Sequence, residues 1–134
     1  MERYYFNRVL NGLLMAIVFD FDIQVADQKP DTFVELTSNI LLVNQVKSRC
    51  ILKSDELNSL KKGIERIKDY IPINNDFCVI SIYDAYWSWC DYQSDIWELA
   101  IIELLSKRLS FSIPHHQLSI DKSTYPFTWK INWL

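Results

Sequence analysis

The sequence is poor in glycine and proline, the residues that build phosphate-binding loops and flexible linkers. It contains two glycines, Gly12 and Gly63, and four prolines. Because a P-loop or a dinucleotide-binding fingerprint needs several glycines in one short loop, two isolated glycines exclude both motifs. The same scarcity argues against linkers, low-complexity tails and repeat architectures. We therefore expect residues 1–134 to form a single globular domain, since this length supports one core.

The common metal-binding and nucleophile motifs are also missing. The two histidines, His115 and His116, are adjacent, so on an extended backbone they point to opposite faces and cannot readily chelate one metal. The sequence has no HExxH, GxSxG or CxxC pattern. It therefore predicts a protein that is not an enzyme, with no metal and no cofactor. A small hydrolase that pairs Asp84 or Asp91 with His115 or His116 is the alternative that remains open.

Cysteine usage and hydrophobic runs bear on the location of the protein. Cys50, Cys78 and Cys90 are odd in number and lie far apart, which fits neither a disulfide framework nor a redox motif. We therefore expect a reducing, cytoplasmic setting. The apolar stretch 9–19 is too short to span a bilayer and runs directly into Asp20 rather than into a small-residue cleavage site. We expect neither secretion nor membrane binding.

Positive charge is absent from a long central stretch, and acidic and aromatic residues take its place. Between Asp69 and Ser106 there is no Lys or Arg, although the net charge of the whole chain is only −3. Aromatic side chains supply rigid contact area, while carboxylates attract a basic protein and repel nucleic acid. The pattern predicts an acidic-aromatic recognition surface, unless several of these aromatics lie in the core. The predicted partner-binding residues are Asp84, Tyr86, Trp87, Trp89, Asp91, Tyr92, Asp95 and Glu98.

Hydrophobic periodicity predicts two helices on either side of a buried strand. Apolar residues at spacings of three and four over about 54–71 indicate an amphipathic surface helix with Ser54 as its N-cap. The run 77–83 is apolar almost throughout, which is typical of a central strand. A second helix over about 95–109, with Asp95 as a carboxylate cap, is apolar nearly all round and should pack against more than one layer.

The two ends of the chain favour strands. Asn11-Gly12 is a strong hairpin signal, although a helix over about 6–19 competes with it. Residues 32–52 suggest a strand or a strand pair, and 118–133 a hairpin. The fold class predicted from this order is α+β, with a mostly antiparallel or mixed sheet, two main helices packed against it and a C-terminal β-hairpin.

The buried strand, the Cys90-Asp91-Tyr92-Gln93 loop, the following helix and the closing hairpin together resemble a pattern found in bacterial immunity proteins of polymorphic toxin and contact-dependent growth inhibition systems. The resemblance covers residues 77–111 and 118–133. It implies a non-catalytic inhibitor that binds the C-terminal domain of a cognate toxin, often a nuclease. A glycan- or peptide-binding module that uses exposed tryptophans is a further alternative, because the chain contains five of them.

Overall fold

A computed structural model describes residues 1–10, 12–47, 50–72, 75–88, 92–123 and 128–134. Its helices are α1 (Ser54–Ile67), which continues into a 3₁₀ turn at Lys68–Tyr70, and α2 (Ile96–Leu109). Its strands are β1 (Glu2–Leu10), β2 (Leu13–Ala26), β3 (Val34–Thr37), β4 (Ile40–Asn44), β5 (Phe77–Trp87), β6 (His116–Asp121) and β7 (Thr128–Trp133). The predicted α+β class, both helices and the C-terminal hairpin are confirmed.

Strands β1 to β5 form one mixed sheet in the order β1-β2-β5-β4-β3. Neighbouring strands run antiparallel except β4 and β5, which are parallel and are joined by a connection that contains α1. Strand β5 therefore lies at the centre, as its apolar run predicts. Strands β6 and β7 pair only with each other among the described residues and form a separate antiparallel hairpin.

The N-terminal segment is a hairpin, so the competing helix over 6–19 is wrong. Strands β1 and β2 pair in an unbroken register from Glu2 opposite Phe21 to Leu10 opposite Leu13. Gly12 adopts a φ of 86°, which only glycine tolerates without strain. Its partner in the predicted turn, Asn11, lies outside the described residues. Alternation of apolar and polar residues thus outweighs the helical pattern in this segment.

The two helices cover one face of the sheet, and α2 is buried on almost every side. Its residues from Ile96 to Ser106 are all buried, because the helix packs against the sheet, α1 and the C-terminal hairpin. A Cβ atom on Gly63 of α1 would lie 2.8 Å from the backbone oxygen of Glu98, so the two helices approach too closely for a side chain there. Within the described residues, no helix combines the length and the apolar character needed to cross a membrane.

The predicted N-cap of α1 is wrong, and that of α2 is confirmed in position but not in its capping bond. The N-cap of α1 is Lys53 rather than Ser54, and its backbone N–H donates to the carboxylate of Glu56 at 3.2 Å. Asp95 holds the N-cap position of α2, but its backbone is already helical, with φ −59° and ψ −19°, and its side chain makes no capping hydrogen bond. Because the backbone is already helical before α2 begins, backbone carbonyls rather than a side chain accept from the first N–H groups of the helix. The N–H of Trp97 donates to the carbonyl of Ser94, and the N–H of Glu98 donates to the carbonyl of Asp95.

Candidate functional site

Among the described residues, no helix or strand covers the face of the sheet opposite the helices over β1, β2 and β5, and this face carries exposed aromatic side chains. The register places Tyr5 beside Val18 and Val18 beside Tyr86, so the three form one row across three strands. Tyr5 is 65% exposed and Tyr86 is 48% exposed. We call this surface the outer face and define it by Arg3, Tyr5, Val18, Asp20, Asp84 and Tyr86.

The next row of the outer face carries charge. Arg3 donates to both carboxylate oxygens of Asp20, at 2.7 and 3.1 Å, and these bonds hold the pKa of Asp20 below its usual value. Asp84 lies beside Asp20 in the register and accepts a hydrogen bond from the Tyr86 hydroxyl, which raises the pKa of Tyr86. Among the described residues Asp84 forms no ion pair, so it supplies the unpaired negative charge of this row.

A shift in the register between β2 and β5 places a further tyrosine beside the outer face. Ile82 pairs with Phe21 and Asp84 with Asp20, so Tyr83 is an extra residue in β5. Such a bulge turns successive side chains away from strict alternation. The Tyr83 hydroxyl donates to Asp22 at 2.8 Å and lowers the pKa of that carboxylate. The bulge thus adds a second tyrosine–carboxylate pair next to Tyr86 and Asp84.

Two aromatics predicted as partner contacts belong to the interior instead. Trp87 is 8% exposed and stacks on Tyr92 with ring centroids 4.4 Å apart. The hydroxyl of Tyr92 accepts a hydrogen bond from the indole N–H of Trp97, and burial raises the pKa of Tyr92. Because strand residues alternate between faces, Trp87 must point inward when Tyr86 points outward. Trp87 and Tyr92 therefore do not belong to the outer face.

Glu98 lies on the helical side of the sheet. It is buried and accepts a hydrogen bond from the Trp133 indole at 3.2 Å, while the Arg66 guanidinium packs on the Trp133 ring, 4.2 Å from its centroid. Burial raises the pKa of Glu98, and the charge of Arg66 opposes this rise. The carboxylate contributes to a groove of about 630 Å³ whose other lining residues are Leu36, Lys61, Lys62, Glu65 and Arg66.

The remaining predicted site residues are dispersed. Asp95 is exposed at the start of α2, and Trp89 and Asp91 lie outside the described residues. In the part of the chain that the structure describes, neither histidine hydrogen-bonds to a carboxylate, and His116 contacts the carbonyl of Pro114 at 3.0 Å. The described residues contain no group of three or more potential metal ligands.

Of the predicted surface, the outer face therefore retains Asp84 and Tyr86 and gains residues that the sequence prediction did not include. Tyr5, Val18 and the Arg3–Asp20 pair come from the N-terminal hairpin. The signal that could have found them is the alternation of the hairpin: once Phe6 and Phe19 are assigned to the core, Tyr5 and Val18 must face the other way. No known family model matches the chain, and no curated protein is significantly similar to it.

Proposed function

We propose that the protein is a non-catalytic inhibitor that binds a basic partner protein through its outer face. The observation that carries the proposal is the row of Tyr5, Val18 and Tyr86, whose two tyrosines are exposed, beside Asp84, a carboxylate without an ion pair among the described residues. The partner class that fits is the C-terminal domain of a cognate toxin. The protein then acts as the immunity protein of a polymorphic toxin or contact-dependent growth inhibition system.

The shape of the outer face supports protein recognition. Tyrosine gives a large amphipathic contact area with only two side-chain torsions to fix on binding. Tyr86 is held further by its hydrogen bond to Asp84, and both residues belong to the central strand β5. A site on a rigid sheet loses little conformational freedom when it binds, so more of the contact energy is available for affinity.

The charge of the outer face supports a basic partner. Arg3 neutralises Asp20 and the N-terminal amine pairs with Asp22 at 3.1 Å, whereas Asp84 accepts its hydrogen bond from a tyrosine that carries no positive charge. A nuclease domain needs basic surface to hold phosphates, and such a surface is complementary to the Asp84 carboxylate. The same carboxylate repels phosphate, so nucleic acid is not the proposed ligand. We place the protein in the cytoplasm as part of this proposal, where free Cys50 and Cys78 remain reduced.

The glycan-binding alternative is less well supported. A module of that kind stacks sugar rings on exposed tryptophans, but Trp87, Trp97 and Trp129 are all buried. The hydrolase alternative needs a histidine beside Asp84 or Asp91, and no described contact joins Asp84 to His115 or His116. Neither alternative has an observation that favours it over protein recognition.

Co-purification from the native host tests the proposal. The tagged protein is captured at moderate salt, and the proteins that remain bound are identified by mass spectrometry. We expect one stoichiometric partner with a basic domain, released by raising the salt concentration because the contact includes Asp84. Recovery of the protein with no stoichiometric partner, or with an acidic one, would contradict the proposal.

A further inference from the structure

The two edges of the five-stranded sheet differ in how they are protected. Strand β3, at one edge, has four residues, a register shift between Glu35 and Thr37, and α1 packed beside it. Strand β1, at the other edge, has nine residues, no register shift and neither proline nor lysine. Short strands, bulges and covering elements are the usual devices that prevent edge pairing. Strand β3 has all three, whereas β1 is neither short nor bulged.

The charged side chains of β1 are all engaged within their own molecule, and Arg8 also donates to the backbone carbonyl of Asn7 at 2.8 Å, a contact that a pairing strand would have to displace. Arg3 binds Asp20, Arg8 donates to Glu103 at 2.7 Å, and Glu2 accepts from Arg108 at 3.0 Å. The C-terminal hairpin approaches β1, but in the described part of the chain no backbone hydrogen bond joins it to β1. Among the described residues β1 thus pairs along one edge only, with β2.

We propose that β1 pairs antiparallel with β1 of a second copy of this chain, so that two five-stranded sheets become one continuous sheet of a dimer. The two-fold axis passes through Tyr5, which faces its own counterpart. This register sets Tyr4 opposite the partner copy's Phe6, and Arg3 opposite its Asn7. It also sets Glu2 opposite the second copy's Arg8. The sequence of β1 is therefore self-complementary in aromatic, polar and charged positions.

Charge complementarity selects a second copy over an unrelated strand. Within one molecule, Glu2 already forms an ion pair with Arg108, and Arg8 forms one with Glu103. Placing Glu2 of one copy beside Arg8 of the other therefore joins two ion pairs into a row of alternating sign, twice in each dimer. Opposite charges at facing positions stabilise strand pairing, and like charges there destabilise it. The dimer does not depend on the proposed toxin-binding function, although it would set two outer faces side by side.

Sedimentation equilibrium of the full chain over a hundredfold range of concentration tests the dimer. We expect a mass twice that of the 15.9 kDa chain at the upper end of the range. Tyr5→Lys places two lysines face to face at the axis and should weaken the dimer by about tenfold or more. Tyr86→Lys is the matched control, because it adds the same charge to the outer face on the central strand, and it should leave the dimer intact.

Two results of that experiment would overturn the proposal. One is a monomer at every concentration. The other is equal weakening by Tyr5→Lys and Tyr86→Lys, which indicates association through the outer face rather than through the edge. Since Tyr5 is exposed, Tyr5→Lys should keep the circular dichroism spectrum of the parent and, at concentrations where both proteins are monomeric, its melting temperature.

Cysteine cross-linking tests the register. In a Cys90→Ser background, Tyr5→Cys should form a disulfide-linked dimer on mild oxidation, because facing residues of paired strands have Cβ atoms about 5 Å apart. Val9→Cys, at a position that is also highly exposed, should not cross-link, since the proposed register places the two copies of residue 9 at opposite ends of the paired strands. Efficient cross-linking through residue 9 but not residue 5 would contradict the register.

Discussion

Tyr86 and Trp87 are neighbours in the chain, yet they lie on opposite faces of the sheet and in opposite environments. Tyr86 is 48% exposed and hydrogen-bonds to Asp84, whereas Trp87 is 8% exposed and stacks on Tyr92. The helical face is covered by two helices, while no helix or strand of the described part of the chain covers the outer face. An aromatic-rich stretch can therefore contribute to the core and to the proposed recognition surface at once, and strand alternation decides which residue does which.

The largest expected contrast is in stability between aromatic truncations on the two faces. Trp97 is fully buried and packs against Phe19, with ring centroids 5.1 Å apart, so Trp97→Ala should lower the free energy of unfolding by about 3–5 kcal/mol. Tyr86→Ala, on the outer face, should change it by no more than about 0.5 kcal/mol. Urea unfolding of both variants measures the difference. Equal costs would mean that Tyr86 is part of the packed core.

A smaller effect is expected at the closest approach of the helices on the covered face. Gly63→Ala should destabilise the protein by about 1–3 kcal/mol, because the new methyl group meets Ile101 Cγ2 at 2.6 Å and the rigid backbone of Glu98. The higher helix propensity of alanine opposes this cost by about 1 kcal/mol. Urea unfolding measures the balance of the two effects.

The control for this variant is Asn58→Ala, at an exposed position on the same helix. It gains up to about 0.7 kcal/mol of helix propensity and introduces no clash, so it should leave stability unchanged or raise it slightly. A stability gain in Gly63→Ala as large as that of the control would show that the two helices are not in close contact.

The smallest contrast concerns two carboxylates, one on each side of the sheet. Burial raises the pKa of Glu98, whereas Arg3 lowers the pKa of Asp20. A raised pKa means that ionisation of Glu98 opposes folding: its contribution to stability is present below the unfolded value of 4.5 and is lost as the pH rises through the folded value. Glu98→Gln should therefore raise the melting temperature at neutral pH, and the gain should vanish in acid.

Asp20→Asn is the matched comparison and has the opposite sign. A lowered pKa means that the Asp20 carboxylate favours folding above the unfolded value of 3.8, and that this contribution is lost as the pH falls through the folded value. The substitution should lower the melting temperature slightly at neutral pH and have no effect in strong acid. Melting curves of both variants between strong acid and neutral pH measure the two changes in melting temperature. A change of the same sign for both at neutral pH would contradict a buried Glu98 and an ion-paired Asp20.

Local signals in the sequence account for much of the fold. The Asn11-Gly12 pair marks the hairpin of β1 and β2, the apolar spacing marks α1, and the continuous apolar run marks β5 as central. Each of these signals acts over a few residues. The parallel pairing of β4 with β5 depends instead on how the α1 connection packs, which no short pattern encodes.

The candidate site was harder to predict, because its residues come from distant parts of the chain. Tyr5 and Tyr86 join one row only through the pairing of β1 with β2 and of β2 with β5. The bulge at Tyr83 also breaks the alternation that would assign faces along β5. Glu98 belongs to an apolar helix, and the indole that donates to its carboxylate, that of Trp133, comes from the hairpin at the end of the chain. Composition predicts that an acidic-aromatic surface exists but not which residues form it.

The most direct test of the outer face compares two matched double variants for binding to the partner captured from the host. Asp84→Ala with Tyr86→Ala removes one carboxylate and one tyrosine from the outer face, and Asp69→Ala with Tyr70→Ala removes the same groups from the exposed turn after α1. We predict that the first variant weakens binding at least about tenfold and flattens its salt dependence, while the second binds like the parent. Equal affinity and equal salt dependence for the two variants would contradict the central claim that the outer face recognises the partner.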